Sequence, residues 1–452
     1  MTISSLKATI GGARVEIDEA LVRRYDLSLP RYTSFPPADR WRSLDAGPYE
    51  AALRRCSEES ANLSLYIHIP FCDARCSFCG CSSIATRNGE IKERYLDSCL
   101  RETKLVSNAL GGGARVSGIH FGGGTPSSVG LLALGRLVEE VSRRIGIAAG
   151  AEVAIEIDPR VISPADLTTL CETGFNRFSF GVQDFDAAVG ASIGRVADSG
   201  DVLRLMEAAR LSNASVNFDL VYGLPRQNAS SWSRTLARVV ELSPDRIALF
   251  NFAYLPGRLP HQRSIDAASL PPPMEKLSLF ASAVERFEEA GYSFIGLDHF
   301  ARSGDSLAAA HREGKLTRNF QGYTATAGVP IVGVGATAIG EIGDVYAQNE
   351  KKLAAYLRKT QSGRLATFRG IILTPEEERA RLAIRALLCS QRSRVESEEA
   401  RRRLALLEDD GIVNLKGDEV LLTPLGRLFA RQAAAALDPA LDSKSSNYSR
   451  AV

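Results

Sequence analysis

The chain reads as an α/β protein built on a parallel sheet, with six strand–helix units that suit a barrel or an incomplete barrel. Two observations carry this. Apolar, strand-like runs recur at residues 63–69, 116–121, 153–157, 177–182, 215–222 and 246–253. Between them lie stretches with apolar residues at three- and four-residue spacing, such as IKERYLDSCLRETKLVSNAL and LLALGRLVEEVSRRIG. That is the period of a helix with one buried face. Periodicity alone leaves an open doubly wound sheet standing beside the barrel.

Taken in order, residues 1–50 form a polar lead segment. Pro30, Pro36 and Pro37 in LPRYTSFPPADRW break helix, so the segment is expected to lie extended over another surface. The strand–helix units occupy residues 51–370, with a further strand at 293–297 ahead of the run DHFA. From Thr374 the pattern changes. TPEEERARLAIRALLC has a threonine N-cap followed by acids. SEEARRRLALLEDDGIV, the short strands IVNL and EVLL, and the helix PLGRLFARQAAAAL follow. Residues 371–452 therefore read as a small, mostly helical domain that resembles a winged helix.

Lysine plus arginine number 55 and aspartate plus glutamate 53, for a net charge of +2. That balance argues against nucleic acid as the main partner. No apolar run is long enough to insert in a bilayer. The start lacks the apolar stretch of a secretory signal. A cytoplasmic protein is expected.

Of eight cysteines, four cluster: Cys72, Cys76, Cys79 and Cys81, in SLYIHIPFCDARCSFCGC. The first three have the spacing C-x3-C-x2-C directly after a strand. Three thiolates can hold three irons of a cubane [4Fe–4S] cluster and leave the fourth iron open. Zinc on four cysteines is the competing reading. Cys79 and Cys81 stand closer than a usual zinc knuckle pair, and no second pair follows at a finger-like distance. Cys81 can equally be a simple buried thiol.

Polar residues then recur at strand ends. VSGIHF runs into Gly122, Gly123 and Gly124, whose backbone can approach a ligand. Glu156 and Asp158, Gln183 and Asp184, and Asp219 close the next three strands. Each alone is an ordinary loop residue. Their recurrence at one rim points to the functional face of a βα barrel. His68 and His299 are either site residues or satisfied core histidines.

The cysteine motif resembles that of the radical S-adenosylmethionine (SAM) superfamily, in which SAM ligates the open iron. With PRYTSFPPA, YIHIPFC, FGGGTP, EIDPR, GVQDF, DLVYGLP, DHFAR, RNFQGY and DVYAQN in this order, the chain resembles the oxygen-independent coproporphyrinogen III oxidases over roughly residues 25–425. The resemblance implies a partial (β/α)6 barrel of the TIM type, a [4Fe–4S] cluster on Cys72, Cys76 and Cys79, and two SAM molecules. Tyr66, Gly123, Glu156 and Ile339 would surround the first SAM. Phe78, Gly124, Thr125, Gln183, Arg195, Asp219 and Ala253 would surround the second, with Gly124 and Thr125 where the two meet. Cys81 matches an extra cysteine of the family motif and is not expected to ligate the cluster.

The implied reaction converts two propionates of coproporphyrinogen III to vinyl groups, giving protoporphyrinogen IX for haem synthesis. A 5′-deoxyadenosyl radical takes hydrogen from the propionate β-carbon; carbon dioxide and one electron then leave. A low-potential electron donor, an electron acceptor, a monomeric state and low-oxygen conditions are implied with it. The substrate's four carboxylates make arginines plausible anchors, and Arg31, Arg302 and Arg318 are the candidates.

The chain departs from the family at Ser192, Ile193 and Gly194, which precede Arg195, and between Cys389 and Leu404, where the C-terminal module is shortened. Three alternatives compete. A haem chaperone or trafficking protein would share the cluster, but such relatives usually lack the PRYTS segment and carry an aromatic residue at the place of Cys81. A second is a radical SAM enzyme that methylates or opens a tetrapyrrole. The third is a redox-sensing DNA regulator using Arg401, Arg402 and Arg403, and the near-zero net charge argues against it.

Overall fold

The computed structural model describes residues 5–59, 62–441 and 448–452. Six parallel strands form its centre: β1 (Asn62–Ile69), β2 (Arg115–Gly123), β3 (Ile147–Ile157), β4 (Arg177–Gln183), β5 (Ser215–Tyr222) and β6 (Arg246–Asn251). They lie side by side in sequence order. The crossovers carry α1 (Gly89–Leu110), α2 (Leu131–Arg144), α3 (Pro164–Glu172), α4 (Ser199–Leu211) and α5 (Ala229–Leu242), and α6 (Pro273–Glu289) follows β6. A doubly wound sheet reverses its strand order; this one never does. With right-handed crossovers, every helix therefore falls on one face, and the other face is free to curl inward.

Helix starts follow local chemistry. The side chains of Asn88, Ser163, Asp198 and Asn228 accept backbone N–H groups of the first turns of α1, α3, α4 and α5. Along the central strands one face is apolar, with Phe178, Phe180 and Phe218 fully buried, while the alternate positions carry polar side chains such as Ser179, Asn217 and Asp219.

The sheet continues past both ends of the six. Beyond β6 lie β7 (Tyr292–Gly296) and β8 (His299–Arg302), antiparallel. Beyond β1 lie parallel β9 (Ile331–Val334), then antiparallel β10 (Ile339–Ile342), β11 (Val345–Asn349) and β12 (Thr367–Ile372), with Arg42–Ser43 at the edge. The thirteen strands do not close on themselves, so the barrel is partial. No described helix is long and apolar enough to cross a membrane.

The lead segment differs from the expected extended run. It begins with a hairpin, Ser5–Ile10 and Ala13–Asp18, and a helix, Glu19–Tyr25. Gly11 and Gly12 both take positive φ at the turn, the pair that a tight hairpin favours. The hairpin is tied to α6 by Thr9 N–H on Glu285 at 3.2 Å and Gly11 N–H on Glu288 at 2.8 Å. Residue 50 lies inside the helix Ala46–Glu59, and residue 370 inside β12.

The C-terminal part holds α7 (Pro375–Ser390) and α8 (Glu398–Asp409). A three-stranded sheet of Arg392–Arg394, Glu419–Leu422 and Val413–Lys416 lies with them, followed by α9 (Ala430–Ala436). Thr374 and Glu377 form a capping box on α7. The helix expected from Pro424 starts only at Ala430: residues 424–429 turn instead, with Gly426 packed so close to the Ile412 carbonyl that a Cβ there would clash. This part is stitched to the lead segment. Gln432 donates to the Tyr25 carbonyl at 2.9 Å, and Arg40 grips buried Asp438 with two bonds at 2.9 and 2.8 Å.

Candidate active site

The polar residues at the carboxyl ends of β1–β6 face one rim. The loop after β1 carries Cys72, Cys76 and Cys79, all free thiols of intermediate exposure. Thr125 Oγ1 donates to Cys72 Sγ at 3.5 Å, and Arg195 Nη1 lies 4.0 Å from Cys76 Sγ. The Cys81 N–H reaches Cys79 Sγ at 3.4 Å. Hydrogen bonds from Cys81 push the Cys79 thiol down and favour its thiolate. Soft, polarised sulfur donors fit an iron–sulfur cluster. Among the described residues, no three His, Cys, Asp or Glu side chains close on a single-ion position. A cubane gives each thiolate its own iron and asks for no such convergence.

Neighbouring loops hold the cysteine loop from below. Gly124 N–H donates to the Ile69 carbonyl and Thr125 N–H to the Phe71 carbonyl, both at 2.8 Å. A Cβ on Gly124 would meet the Pro70–Phe71 backbone, one on Gly123 the His68 ring, and one on Gly122 the Glu156 carboxylate. These glycines are therefore required by the packing of protein on protein. His68 itself is buried. Its Nε2–H donates to the Ser82 carbonyl at 3.0 Å, and its Nδ1 accepts from Tyr66 at 2.9 Å. It is a satisfied core histidine that supports the loop.

The residues expected around the first SAM lie together. Tyr66 stacks near His120 at 5.9 Å between ring centres, and Glu156 accepts from His120 at 3.2 Å and from Gly123 N–H at 3.0 Å. Burial pushes the Glu156 carboxyl up, but His120 and the Gly123 N–H pull it below its ordinary value. Gly333 pairs with Tyr66 across β9 and β1, and a Cβ on it would meet the Ile339 backbone.

The residues expected around the second SAM gather about Gly181 and the cysteine loop. The Gly181 carbonyl accepts from Arg195 Nε and Nη2 at 3.0 and 2.7 Å, and Asp219 is its partner on β5. Arg195 also pairs with Asp158 at 3.2 Å. Gln183 holds a positive φ of 67° beside Gly181, a conformation rare for a side-chain-bearing residue. Burial, with the charge of Glu156, pushes Asp219 up to about 6 against bonds from Ser179 and Asn217.

Sequence reasoning missed the device that joins Phe78 to Ala253. Fully buried Gln262 donates to the Phe78 carbonyl at 3.1 Å and to the Ala253 carbonyl at 3.0 Å, and accepts from Leu255 N–H at 2.6 Å. Its neighbour His261 donates to the Cys79 carbonyl at 2.7 Å. Only a contact map reveals this tether, because the segment Pro260–Ser264 carries no motif.

Asp184 does not face the site. It is buried, accepts from Thr235 and, at 2.7 Å, from Gln227, and so fixes the loop after β5. Of the three arginine candidates, Arg302 sits at the opposite end of the barrel. Its N–H donates to the Asp245 carbonyl, its guanidinium contacts Ser243, and it covers the Tyr292 ring at 5.1 Å. Arg31 and Arg318 lie at the rim, with half-buried Asp298 and His299 between them.

A model of the Radical SAM superfamily matches residues 66–239. The oxygen-independent coproporphyrinogen III oxidase of Escherichia coli strain K12 is 40% identical over 448 residues, covering 95% of this chain and 97% of its own. The enzyme of that name from Synechocystis is 36% identical over 97% of this chain and 98% of its own. This chain belongs to the oxygen-independent coproporphyrinogen III oxidase family. A solved Escherichia coli coproporphyrinogen III oxidase, described as a Radical SAM enzyme, superposes with a TM-score of 0.87 at 38% identity, covering 92% of this chain and all of that one. The family's radical SAM core therefore coincides with the partial barrel and its cysteine loop. At 92% of this chain, the structural match extends well beyond residues 66–239.

Proposed function

We propose that this chain oxidatively decarboxylates two propionates of coproporphyrinogen III to vinyl groups without oxygen, giving protoporphyrinogen IX. The carrying observation is kinship over nearly the full length with enzymes of that name. Cys72, Cys76 and Cys79 would hold the [4Fe–4S] cluster. Tyr66, Gly123, Glu156 and Ile339 would line one SAM, and Phe78, Gly124, Thr125, Gln183, Arg195, Asp219 and Ala253 a second. When bound, cluster and SAM supply a 5′-deoxyadenosyl radical able to take a hydrogen atom from the propionate β-carbon.

The chain's own residues bind, orient and shield. Glu156, ionised and partly open to the rim, suits the ammonium of a SAM methionine end. Asp219 with Asn217 and Ser179 offers a polar wall beside Gly181. Arg195 places positive charge 4.0 Å from the Cys76 sulfur. Gln262 and His261 hold the cysteine loop to the exit of β6. A low-potential electron donor, an electron acceptor, a cytoplasmic location and a monomeric state belong to this reading on the strength of the family resemblance. The chaperone alternative is not favoured, since the PRYTS segment and Cys81 are both present and the relatives carry the oxidase name.

The test is an anaerobic assay of cluster-reconstituted protein with reductant, SAM and coproporphyrinogen III, beside a Cys76→Ser control. Protoporphyrinogen IX with 5′-deoxyadenosine, both absent from the control, is the expected result. SAM cleavage without decarboxylation would move the reading to a diverged paralogue.

A further inference from the structure

A cavity at the rim lies between the ends of β5 and β6, the lead segment and α9. Its polar lining is Arg31, Tyr222, Asn251, Asp298, Arg427 and Arg431. Tyr222 and Asn251 are the last residues of β5 and β6, so the cavity opens on the same face as the cysteine loop. Arg31 Nη2 donates to the Asn251 carbonyl at 2.5 Å. The Asn251 amide nitrogen and oxygen are both buried with no hydrogen-bond partner among the described residues. Buried polar groups without partners are rare and call for one.

Charge in this cavity is unbalanced. Arg427 is matched by Glu288 at 3.5 Å. The remaining carboxylate, Asp298, is already engaged by His299 at 2.6 Å and Arg318 at 3.5 Å. Arg31, Arg318 and Arg431 thus share one acid. Burial lowers the Arg31 guanidinium below its usual value; burial and the charge of Arg31 push Arg431 down to about 10. Crowded, desolvated cations gain most from an anion that enters between them.

Arg431 spends its donors on backbone. Its Nε donates to the Pro30 carbonyl at 3.3 Å, Nη1 to the Arg450 carbonyl at 3.0 Å, and Nη2 to the carbonyls of Leu29 and Ser449. Leu29 and Pro30 immediately precede Arg31. One side chain of the C-terminal part therefore fixes the backbone that aims Arg31 into the barrel mouth.

We infer that this cavity is a carboxylate site for one propionate of the tetrapyrrole, with Arg31 as the contacting cation and Arg431 as the residue that positions it. The inference rests on the functional reading above and deepens it. Arg31, held on one side by the Asn251 carbonyl, presents its other N–H groups as a fork to the carboxylate, and the Asn251 amide completes the cradle. A SAM molecule also carries a carboxylate, so the source must be separated by experiment.

The experiment uses the full, cluster-reconstituted protein under anaerobic conditions. Binding of coproporphyrin III, the stable oxidised form of the substrate, is followed by fluorescence quenching beside its tetramethyl ester. SAM binding is followed by equilibrium dialysis. Arg31→Met is expected to weaken coproporphyrin III by roughly 10- to 100-fold and to leave the ester and SAM unchanged. Arg31→Lys should restore part of the loss. Arg431→Met should weaken the tetra-acid less and speed proteolysis of the lead segment, with Arg431→Lys partly rescuing both. If Arg431→Met fails to fold, the Arg31 pair and Arg431→Lys carry the test. Wild-type affinity in Arg31→Met, an equal loss for acid and ester, or a loss confined to SAM would each overturn the inference. Wild-type protein that binds the porphyrin yet forms no protoporphyrinogen IX would instead sink the functional reading and leave the site standing.

Discussion

The two ends of the barrel are both rich in buried and half-buried arginine, and they differ in how the charge is matched. At the end where the strands begin, Arg246 pairs with Asp305 at 2.7 Å and Glu152 at 3.5 Å, and Arg177 pairs with Glu152 at 2.6 Å. Two cations there meet two acids, and Ser306 takes a further Arg246 N–H at 3.0 Å. At the rim, Arg31, Arg318 and Arg431 share Asp298, which their charge and His299 hold well below the usual carboxylate range although burial opposes it. A matched network is complete without a visitor and serves the fold. A surplus of half-buried and buried cations is an unfinished network, which a carboxylate-bearing ligand would finish.

That contrast predicts which substitutions act on chemistry and which on folding. The largest effect is expected at the rim. Cys76→Ser should reduce product formation and cluster iron to background, while cluster-free wild type and variant unfold at the same temperature. Retained iron with activity would remove Cys76 from the ligand set.

At the opposite end, Arg246→Met should destabilise the protein by about 3–5 kcal/mol, since it strands Asp305 in a buried site. SAM and porphyrin affinity of the folded fraction should not move. Denaturant titration with parallel binding assays measures both, and a selective loss of substrate affinity would break the division between the two ends.

Behind β1, Glu102 is a third case. It accepts from Gly335 N–H, Tyr356 Oη and Asn349 Nδ2, each at 2.7 Å, and so ties α1 to the loop after β9. Burial raises its carboxyl to about 7, against the pull of those bonds. A folded value above the unfolded one means that stability is full below the unfolded value and lost as pH rises through the folded one. Wild-type, cluster-free protein should lose about 2 kcal/mol between about pH 5.5 and 8 from this group. Glu102→Gln should lack that slope. Equal slopes in both proteins would remove Glu102 as the source.

The smallest effect is expected for Arg302→Met. Loss of its Tyr292 ring contact and its Ser243 partner should cost about 1 kcal/mol and leave the substrate KM unchanged. A raised KM would return Arg302 to the list of anchors.

Much of the architecture was legible because its signals are local. The six strands, the cap at Thr374 and the spacing of Cys72, Cys76 and Cys79 are written within a few residues each. The N-terminal hairpin was also local, in the pair Gly11–Gly12 flanked by alternating residues, and it was masked by the prolines further along. Asp184 misled for the opposite reason: it stands beside Gln183 at a strand end, but a bulge opposite Asp219 and Leu220 accompanies its turn toward α5.

By itself, the sequence determined the strand–helix alternation, the thiolate spacing and the family, since period and spacing depend on neighbours along the chain. Only the tertiary structure decided that Arg302 is remote, that Gln262 tethers the cysteine loop, and that Arg431 delivers Arg31 to the rim. The physical reason is that one arginine looks like another in a sequence. What it does is set by the polar groups it meets, and these come from segments tens to hundreds of residues away.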